Sequence, residues 1–294
     1  MKFGQVPDAS MIDFALPSTN PITYKVLQDY KNLNKPFEVY VGCAKWNKTD
    51  LKGFYPKGVK DELTYYASQF NSIELNATFY HAPSINQIET WRNKVPADFK
   101  FFPKIPQSIS HYSRLLQVKE KVESFTASIQ AFENKLGMTF LQLHDNYKPK
   151  DINRLEEFLY DFPKNIPLAI EVRNEEWFSD ATIFNAYCNL LQSYQATNII
   201  VDTAGRRDMV HMRLTSDTAF IRYVGANHDS DYERLNDWIE HIKTWRNAGL
   251  QKLYFFIHQN VEVESPLLAT HFIKQLNENF GLQLRYPEKQ LSLF

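Results

Sequence analysis

The chain has 294 residues, is 44% hydrophobic and 23% charged, and carries a formal net charge of -1. That balance excludes wholesale disorder and counts against a strongly basic nucleic-acid binder, while the length suits one large α/β barrel or two ordinary domains. Two cysteines, Cys43 and Cys188, both in apolar segments, form neither a disulfide framework nor a zinc pattern. No apolar run reaches the ~18 residues of a transmembrane helix, and the N-terminus lacks the compact apolar core of a signal peptide. The expectation is a soluble cytoplasmic protein.

Residues 1–35 are rich in Pro, Ser, Asn and Asp and show no long periodicity. They are read as an N-terminal arm packed on the outside of the domain, because Phe14 and Leu16 need burial. From residue 36 to 294 strands and helices alternate. FEVYVGC from Phe37 is a strand, DELTYYASQF from Asp61 a helix with an acidic start, and SIELN the second strand. SINQIETWRNKV follows as a helix capped by Ser84, and FKFF as a third strand, although Pro103 sits badly in a central strand. A long helix is expected from about Leu115 to Lys135, then the strand MTFLQL and a helix capped by Asp151. LAIEV, a helix from Ser179 to Ser193, and NIIVD repeat the unit. The segment AGRRDMVHMRLTSD reads as a loop; AFIRYV and a helix from about Asp231 to Asn247 follow it. KLYFFIH, a helix from about Pro266 to Asn279, and a short peripheral tail, YPEKQLSLF, complete the chain.

Several strands are apolar almost throughout, as expected when helices cover one face and a packed interior the other. A doubly wound open sheet is the alternative, but it usually carries a glycine-rich phosphate turn, and none is present. The expected fold is α/β, a single (β/α)8 TIM-type barrel with an N-terminal arm.

Nearly every strand ends on a polar residue. Glu74 and Asn76, Lys104, Gln142 with His144 and Asp145, Glu171 and Arg173, Asp202, Arg222, and His258 with Asn260 all stand there. A barrel gathers such ends at one mouth, where active sites of that fold sit. Glu171, Glu74 and Asp202 are the candidate acids and bases, and Lys104, Arg173 and Arg222 the candidate anion holders. Asn76, Tyr80, Gln142, Trp46 and Trp177 are candidate substrate contacts, with Trp177 a candidate lid over the Arg173 guanidinium. The plainer reading is an internal ion-pair network at the barrel end, since Glu171 and Arg173 lie two apart on one strand and face the same side. Cys43 is read as simple packing. His144, Asp145 and His258, with Glu171 and Asp202, could supply metal ligands, but no compact His-x-x-x-His or HExxH spacing exists.

The stretch from Gly42 to His111 carries a longer pattern: Gly42, Trp46, Phe54-Tyr55-Pro56, Glu74, Asn76, Thr78-Phe79-Tyr80, Trp91, Lys104 and Ser110-His111. Leu141-Gln142, Glu171-Val172-Arg173 with Trp177, Asp202, and Arg222 before Gly225 continue it. The pattern resembles the YecE-like family, also called domain of unknown function 72. The resemblance implies a TIM-type barrel and no established reaction. Three departures from the family pattern stand out: Asn174 where His is frequent, His144 where Pro commonly follows, and FIHQN in place of F-F-N-N.

The leading functional expectation is an enzyme that acts on a small phosphorylated or carboxylated metabolite by carboxylate acid/base chemistry. A metal-dependent phosphoesterase or isomerase is a variant. The other class is a non-catalytic module that grips a nucleic-acid end or a protein partner, with nucleic acid disfavoured by the balanced charge. The sequence names no cofactor.

Overall fold

The computed structural model of the chain describes residues 3–31 and 35–287. The arm contains a short helix, α1 (Pro21–Gln28), which the sequence reading missed: at eight residues it is too short for a helical period to declare itself. Asn20 caps it by accepting from the Ile22 N–H (3.0 Å), and Pro21 opens it where no N–H partner is needed. The alternation then runs as expected. The strands are β1 (Glu38–Cys43), β2 (Ser72–Leu75), β3 (Lys100–Pro103), β4 (Thr139–Gln142), β5 (Leu168–Glu171), β6 (Thr197–Asp202), β7 (Thr218–Gly225) and β8 (Lys252–Gln259). The helices between and after them are α2 (Glu62–Gln69), α3 (Ala77–Tyr80), α4 (Ile85–Asn93), α5 (Lys119–Ile129), α6 (Ile152–Asp161), α7 (Ala181–Ser193), α8 (Ser230–Ala248) and α9 (Ser265–Phe280).

Two expected caps are in place: Asp61 accepts from the Thr64 N–H at 2.8 Å and Ser84 from the Gln87 N–H at 3.2 Å. Asp151 precedes α6 but accepts nothing from its backbone and pairs with Arg154 at 3.2 Å instead. The helix expected from Leu115 is also corrected. Arg114, Leu115 and Gln117 have φ of 47°, 64° and 51°, a left-handed path that no helix can follow, so α5 begins only at Lys119. The expected tail lies, from residue 288 on, outside the described residues.

Six strands form one curled parallel sheet in the order β1-β8-β7-β6-β5-β4, and β2 pairs with β3 in a second parallel sheet. At the edge between β1 and β2, side chains do the joining. Asn71 accepts from the Val41 N–H (3.0 Å) and donates to the Val39 carbonyl (2.8 Å). The Tyr66 hydroxyl accepts from the Cys43 N–H (2.7 Å) and donates to the Ser72 carbonyl (3.0 Å). Gly42 permits this approach, because a Cβ there would meet the Ser72 carbonyl oxygen at 2.1 Å. Between β3 and β4, Gly137 N–H reaches the Phe101 carbonyl and Ile105 N–H the Phe140 carbonyl, each at 2.8 Å. Pro103 lies between these two bonds and has no N–H to add a third.

Side chains alternate across each strand. One set, including Phe102, Phe140, Ala169, Ile199, Val201, Phe220, Tyr254 and Phe256, fills the inside of the curl. The intervening set, including Ile73, Leu141, Ile170, Ile200, Ile221 and Phe255, belongs to the larger apolar cluster that takes in the helices. Among the described residues no helix is long and apolar enough to cross a membrane.

Candidate functional site

Following the inner set of side chains to the C-terminal ends of the strands leads from aromatic rings to charge. Glu74 (β2), Lys104 (after β3), Gln142 (β4), Glu171 (β5), Arg222 (β7) and His258 (β8) stand above the inner apolar layer, and all six are buried. Arg222 is the centre. Its Nε and Nη2 donate to the two oxygens of Glu74 at 2.9 and 2.8 Å, and its Nη1 donates to Glu171 at 2.5 Å. The other Glu171 oxygen accepts from Arg173 Nε at 2.6 Å. His258 Nε2 lies 3.1 Å from Glu74, and its Nδ1 faces Glu262 at 3.7 Å.

Burial pushes both carboxyls up, but the neighbouring cations outweigh it, Arg222 and Arg173 beside Glu171 and Arg222 and His258 beside Glu74. Glu171 is held at about 2, and Glu74 well below its usual value. Burial pulls His258 down, yet Glu74 and Glu262 prevail and raise it. These two carboxylates are therefore ionised and occupied by cations. Both expected acid/base residues are thus engaged, Glu171 by Arg222 and Arg173 and Glu74 by Arg222 and His258.

Lys104 is different. Its Nζ donates to Gln142 Oε1 at 3.0 Å and lies 4.1 Å from the centre of the Phe79 ring. Among the described residues no carboxylate pairs with it. Burial pulls the ammonium down, Arg222 and Arg173 add to this, and Glu171 and Glu74 only partly offset them, leaving Lys104 at about 7.

Two cavities open beside this amine. The first, of about 560 Å³, is lined by Phe79, Tyr80, Lys104, Gln107, His111, Tyr112, Arg114, Gln142, His144 and Arg173. Among the described residues no Asp or Glu lines it. The second, of about 600 Å³, is lined by Lys45, Thr49, Asp50, Asn76, Lys104, His258, Asn260 and Glu262 among others, and shares Phe79 and Tyr80 with the first. Helix α3 is thus a partition with Lys104 at its foot. Thr78 fixes the partition, its hydroxyl lying 2.9 Å from the Leu75 carbonyl and 2.6 Å from that of Lys104.

Arg173 and Arg114 bring the guanidinium groups of the first cavity, and Arg173 is the buried one. Its Nε is spent on Glu171, and among the described residues its Nη atoms make no hydrogen bond, with Asp145 at 3.8 Å. Its flat face lies 3.8 Å from the centre of the Phe3 ring. His111 projects from a single π-helical turn, Ser108–Tyr112, and contacts Phe79 and His144 edge to face, with ring centres 4.9 and 5.0 Å apart. Burial, then Lys104 and His144, pull His111 down to about 4, so it stays neutral. The left-handed residues that follow the turn carry Arg114 onto the cavity rim.

The structure redistributes the other expected residues. Asp202 belongs to the outer set: it accepts from Arg234 (2.6 Å) and Trp238 (2.8 Å) of α8 and from Arg207, and is paired on the helix side of the sheet. Trp177 is not a lid. It is fully buried, with Nε1 donating to the Tyr147 carbonyl at 2.8 Å, and Phe3 takes the place over Arg173. Trp46 packs edge to face on Trp91 at 5.8 Å instead of lining either cavity. Asn76 donates to Glu74 at 2.8 Å and borders the second cavity, while Tyr80 is 64% exposed on the partition. Cys43 is buried and its thiol pushed up, as packing requires. The candidate metal ligands are not gathered: His144 borders the first cavity, His258 the second, and Asp145 is largely exposed. Among the described residues no group of three or more His, Cys, Asp or Glu could hold a metal ion.

Sequence reasoning left out Phe3, Glu262, Arg114 and the partition role of Phe79. His111 was visible in the Ser110-His111 pair, but a single histidine in a loop gave no reason to place it at the site.

The family model described as "Protein of unknown function DUF72" matches residues 40–291. The chain belongs to the DUF72 family. It is 25% identical over 253 residues to the Escherichia coli UPF0759 protein YecE, which spans 79% of this chain and 90% of that protein. It is 28% identical over 151 residues to the UPF0759 protein YunF of Bacillus subtilis, 48% of this chain and 52% of that one. Two DUF72 crystal structures are similar in fold. One, from Thermotoga maritima, has a TM-score of 0.66 at 27% identity, covering 82% of this chain and 99% of that one. The other, from Enterococcus faecalis, has a TM-score of 0.68 at 17% identity, covering 86% and 99%.

Proposed function

We propose that the chain is an enzyme that binds a small phosphorylated or carboxylated metabolite at the C-terminal ends of its strands, with Arg173 as the anion holder and Lys104 as the reactive base. The observation that carries this reading is the first cavity's lining: two arginines, a lysine, two histidines and two glutamines, without a carboxylate among the described residues. Such a wall attracts an anion, and the unspent Nη pair of Arg173 offers the planar fork that carboxylate and phosphate accept. A base with pKa near neutrality transfers protons most effectively, which Lys104 satisfies and the two glutamates do not. The expected carboxylate acid/base chemistry is thereby moved onto the amine, while the anionic substrate class is kept.

For the fold, we infer that the two sheets are arcs of one closed (β/α)8 barrel. The side-chain bonds between β1 and β2, the two backbone bonds between β3 and β4, and the Arg222–Glu74 pair across the interior all support closure. On that reading the charged layer is the floor of the barrel mouth.

The test is a thermal-shift series with inorganic phosphate, phosphorylated sugars and small dicarboxylates. A ligand that binds only the folded chain raises the melting temperature. Arg173→Ala is expected to abolish the shift and leave the fold intact. A shift that survives Arg173→Ala, or one seen only with oligonucleotide ends and lost steeply with salt, would overturn the small-anion reading.

A further inference from the structure

We propose that the Lys104 amine forms an imine with a carbonyl compound bearing an anionic group on one side of the carbonyl and a hydroxylated arm on the other. The proposal rests on the reading of the first cavity as an anion site and extends it to the reacting bond. A lysine that serves only as a proton carrier needs one chamber. Lys104 instead stands on the wall common to two, at the foot of the Phe79–Tyr80 partition. A carbonyl carbon carries two substituents that diverge from it, and two chambers that diverge from one nitrogen match that shape.

The chambers differ in chemistry as the two arms would. Arg173, Arg114 and His111 make the first a place for carboxylate or phosphate. In the second, Asp50 pairs with Lys45 at 3.3 Å and Glu262 faces His258 at 3.7 Å, so that with Asn76 and Asn260 its wall carries charges of both signs and offers donors and acceptors, which suits hydroxyl groups. The nitrogen itself is prepared for attack. It is buried, held by one hydrogen bond to Gln142 at 3.0 Å, and faces the Phe79 ring at 4.1 Å; Glu74 and Glu171, which could have fixed it as an ammonium, are engaged by Arg222 and Arg173.

The step balances without a redox partner. The neutral amine attacks the carbonyl carbon, a C–N bond forms, and the oxygen takes up a proton to give a carbinolamine. The C–O bond then breaks. The oxygen leaves as water with one hydrogen from the amine and one proton from solvent, and a protonated imine remains.

The experiment uses the full chain with sodium cyanoborohydride and, separately, dihydroxyacetone phosphate and fructose 6-phosphate, with pyruvate as the anionic carbonyl that lacks a hydroxylated arm and acetone as the neutral control. Intact mass and peptide mapping read the reduced adduct. The expected result is about one adduct per chain on Lys104, from at least one of the two phosphorylated carbonyls in at least tenfold excess over acetone. The adduct should be absent in Lys104→Arg and Lys104→Met and reduced at least tenfold in Arg173→Ala. Trace acetic anhydride labelling across pH measures the amine without any substrate, and its midpoint at Lys104 should lie near 7 in place of 10.5. An ordinary midpoint, or labelling spread over surface lysines in proportion to exposure, overturns the imine. If phosphate still raises the melting temperature through Arg173 while no adduct forms, the imine falls and the anion site stands; if neither occurs, both fall.

Discussion

Two groups of buried charge stand at the C-terminal ends of the strands, one inside the curl of the sheet and one outside it. The outer group is Asp202 with Arg234, Arg207, Asp231 and the Trp238 indole. Every carboxylate there is met by a cation or a donor from α8 or the adjoining loop, and neither cavity described above touches it. The inner group has the same residue types, with Glu74 and Glu171 around Arg222. It differs in what is left over among the described residues: an Arg173 guanidinium edge with no hydrogen bond, its Nη1 3.8 Å from the exposed Asp145, and an amine on Lys104 without a carboxylate partner, both lining the first cavity. Buried charge that is fully paired is structure; buried charge with an unspent donor beside a cavity is the candidate for chemistry.

The largest effects come from breaking either group. Arg222→Met would leave Glu74 and Glu171 buried without their common cation, and Asp202→Ala would leave Arg234 without its closest carboxylate. Each is expected to cost about 3–5 kcal/mol in urea unfolding. What separates them is Lys104. Removing Arg222 takes away a positive neighbour, so the Lys104 labelling midpoint should rise; Asp202→Ala should leave it unchanged. An equal response in both variants would mean that Lys104 does not distinguish the inner group from the outer one. The acid limb gives a second reading. Glu171 falls from 4.5 to about 2 on folding, so its contribution, on the order of 3 kcal/mol, is fully present above pH 4.5 and is lost as pH falls through about 2. Arg222→Met should flatten that limb.

A smaller effect of opposite sign is expected at Lys104. Its folded value lies below its unfolded one, so the folded chain carries the full penalty of a buried ammonium below pH 7 and is relieved of it as pH rises towards 10.5. Lys104→Met removes that penalty. The variant should be more stable than the natural chain by a few kcal/mol at pH 6, with the gain shrinking by pH 10, while adduct formation disappears. A loss of stability that is independent of pH would make Lys104 a structural residue.

The strand and helix alternation was legible because turn residues separate the units and several helices open on a capping side chain, as at Asp61, Ser84 and Asp180. The candidate site was legible in part, since Glu74, Lys104, Gln142, Glu171, Arg173, Arg222 and His258 do meet. Asp202 was misplaced for a physical reason. TNIIVD is buried on both faces, so polar and apolar residues do not alternate and the sequence cannot show which parity points inward. Asp202 follows the parity of Ile200, which packs with the helices, whereas Val201 points inside. Phe3 was illegible for another reason. A residue 170 positions from Arg173 in an irregular segment reaches it only through tertiary anchoring, by the Gly205 N–H to Gly4 carbonyl bond of 2.8 Å. Gly4 itself has φ of +74°, and a Cβ there would meet Thr203 Oγ1 at 2.1 Å.

The arm supplies the finest version of the comparison, because it lays one aromatic ring on an arginine of each group. Phe14 lies 4.3 Å from Arg234 in the outer group, and Phe3 lies 3.8 Å from Arg173 at the inner one. Both contacts are of the same kind, worth roughly 0.5–2 kcal/mol depending on how dry they are. Phe14→Ala should therefore cost about 1 kcal/mol and leave ligand-induced thermal shifts unchanged, since Arg234 donates to Asp202 and Asp231 and lines neither cavity. Phe3→Ala should cost a similar amount and also weaken phosphate binding several-fold, because the ring packs on the guanidinium of an arginine that lines the first cavity. Tighter binding in Phe3→Ala would reverse that assignment and make the ring a cover that the ligand must displace. The pair of variants thus reads, at nearly constant stability, whether an arginine in each group is spent or available.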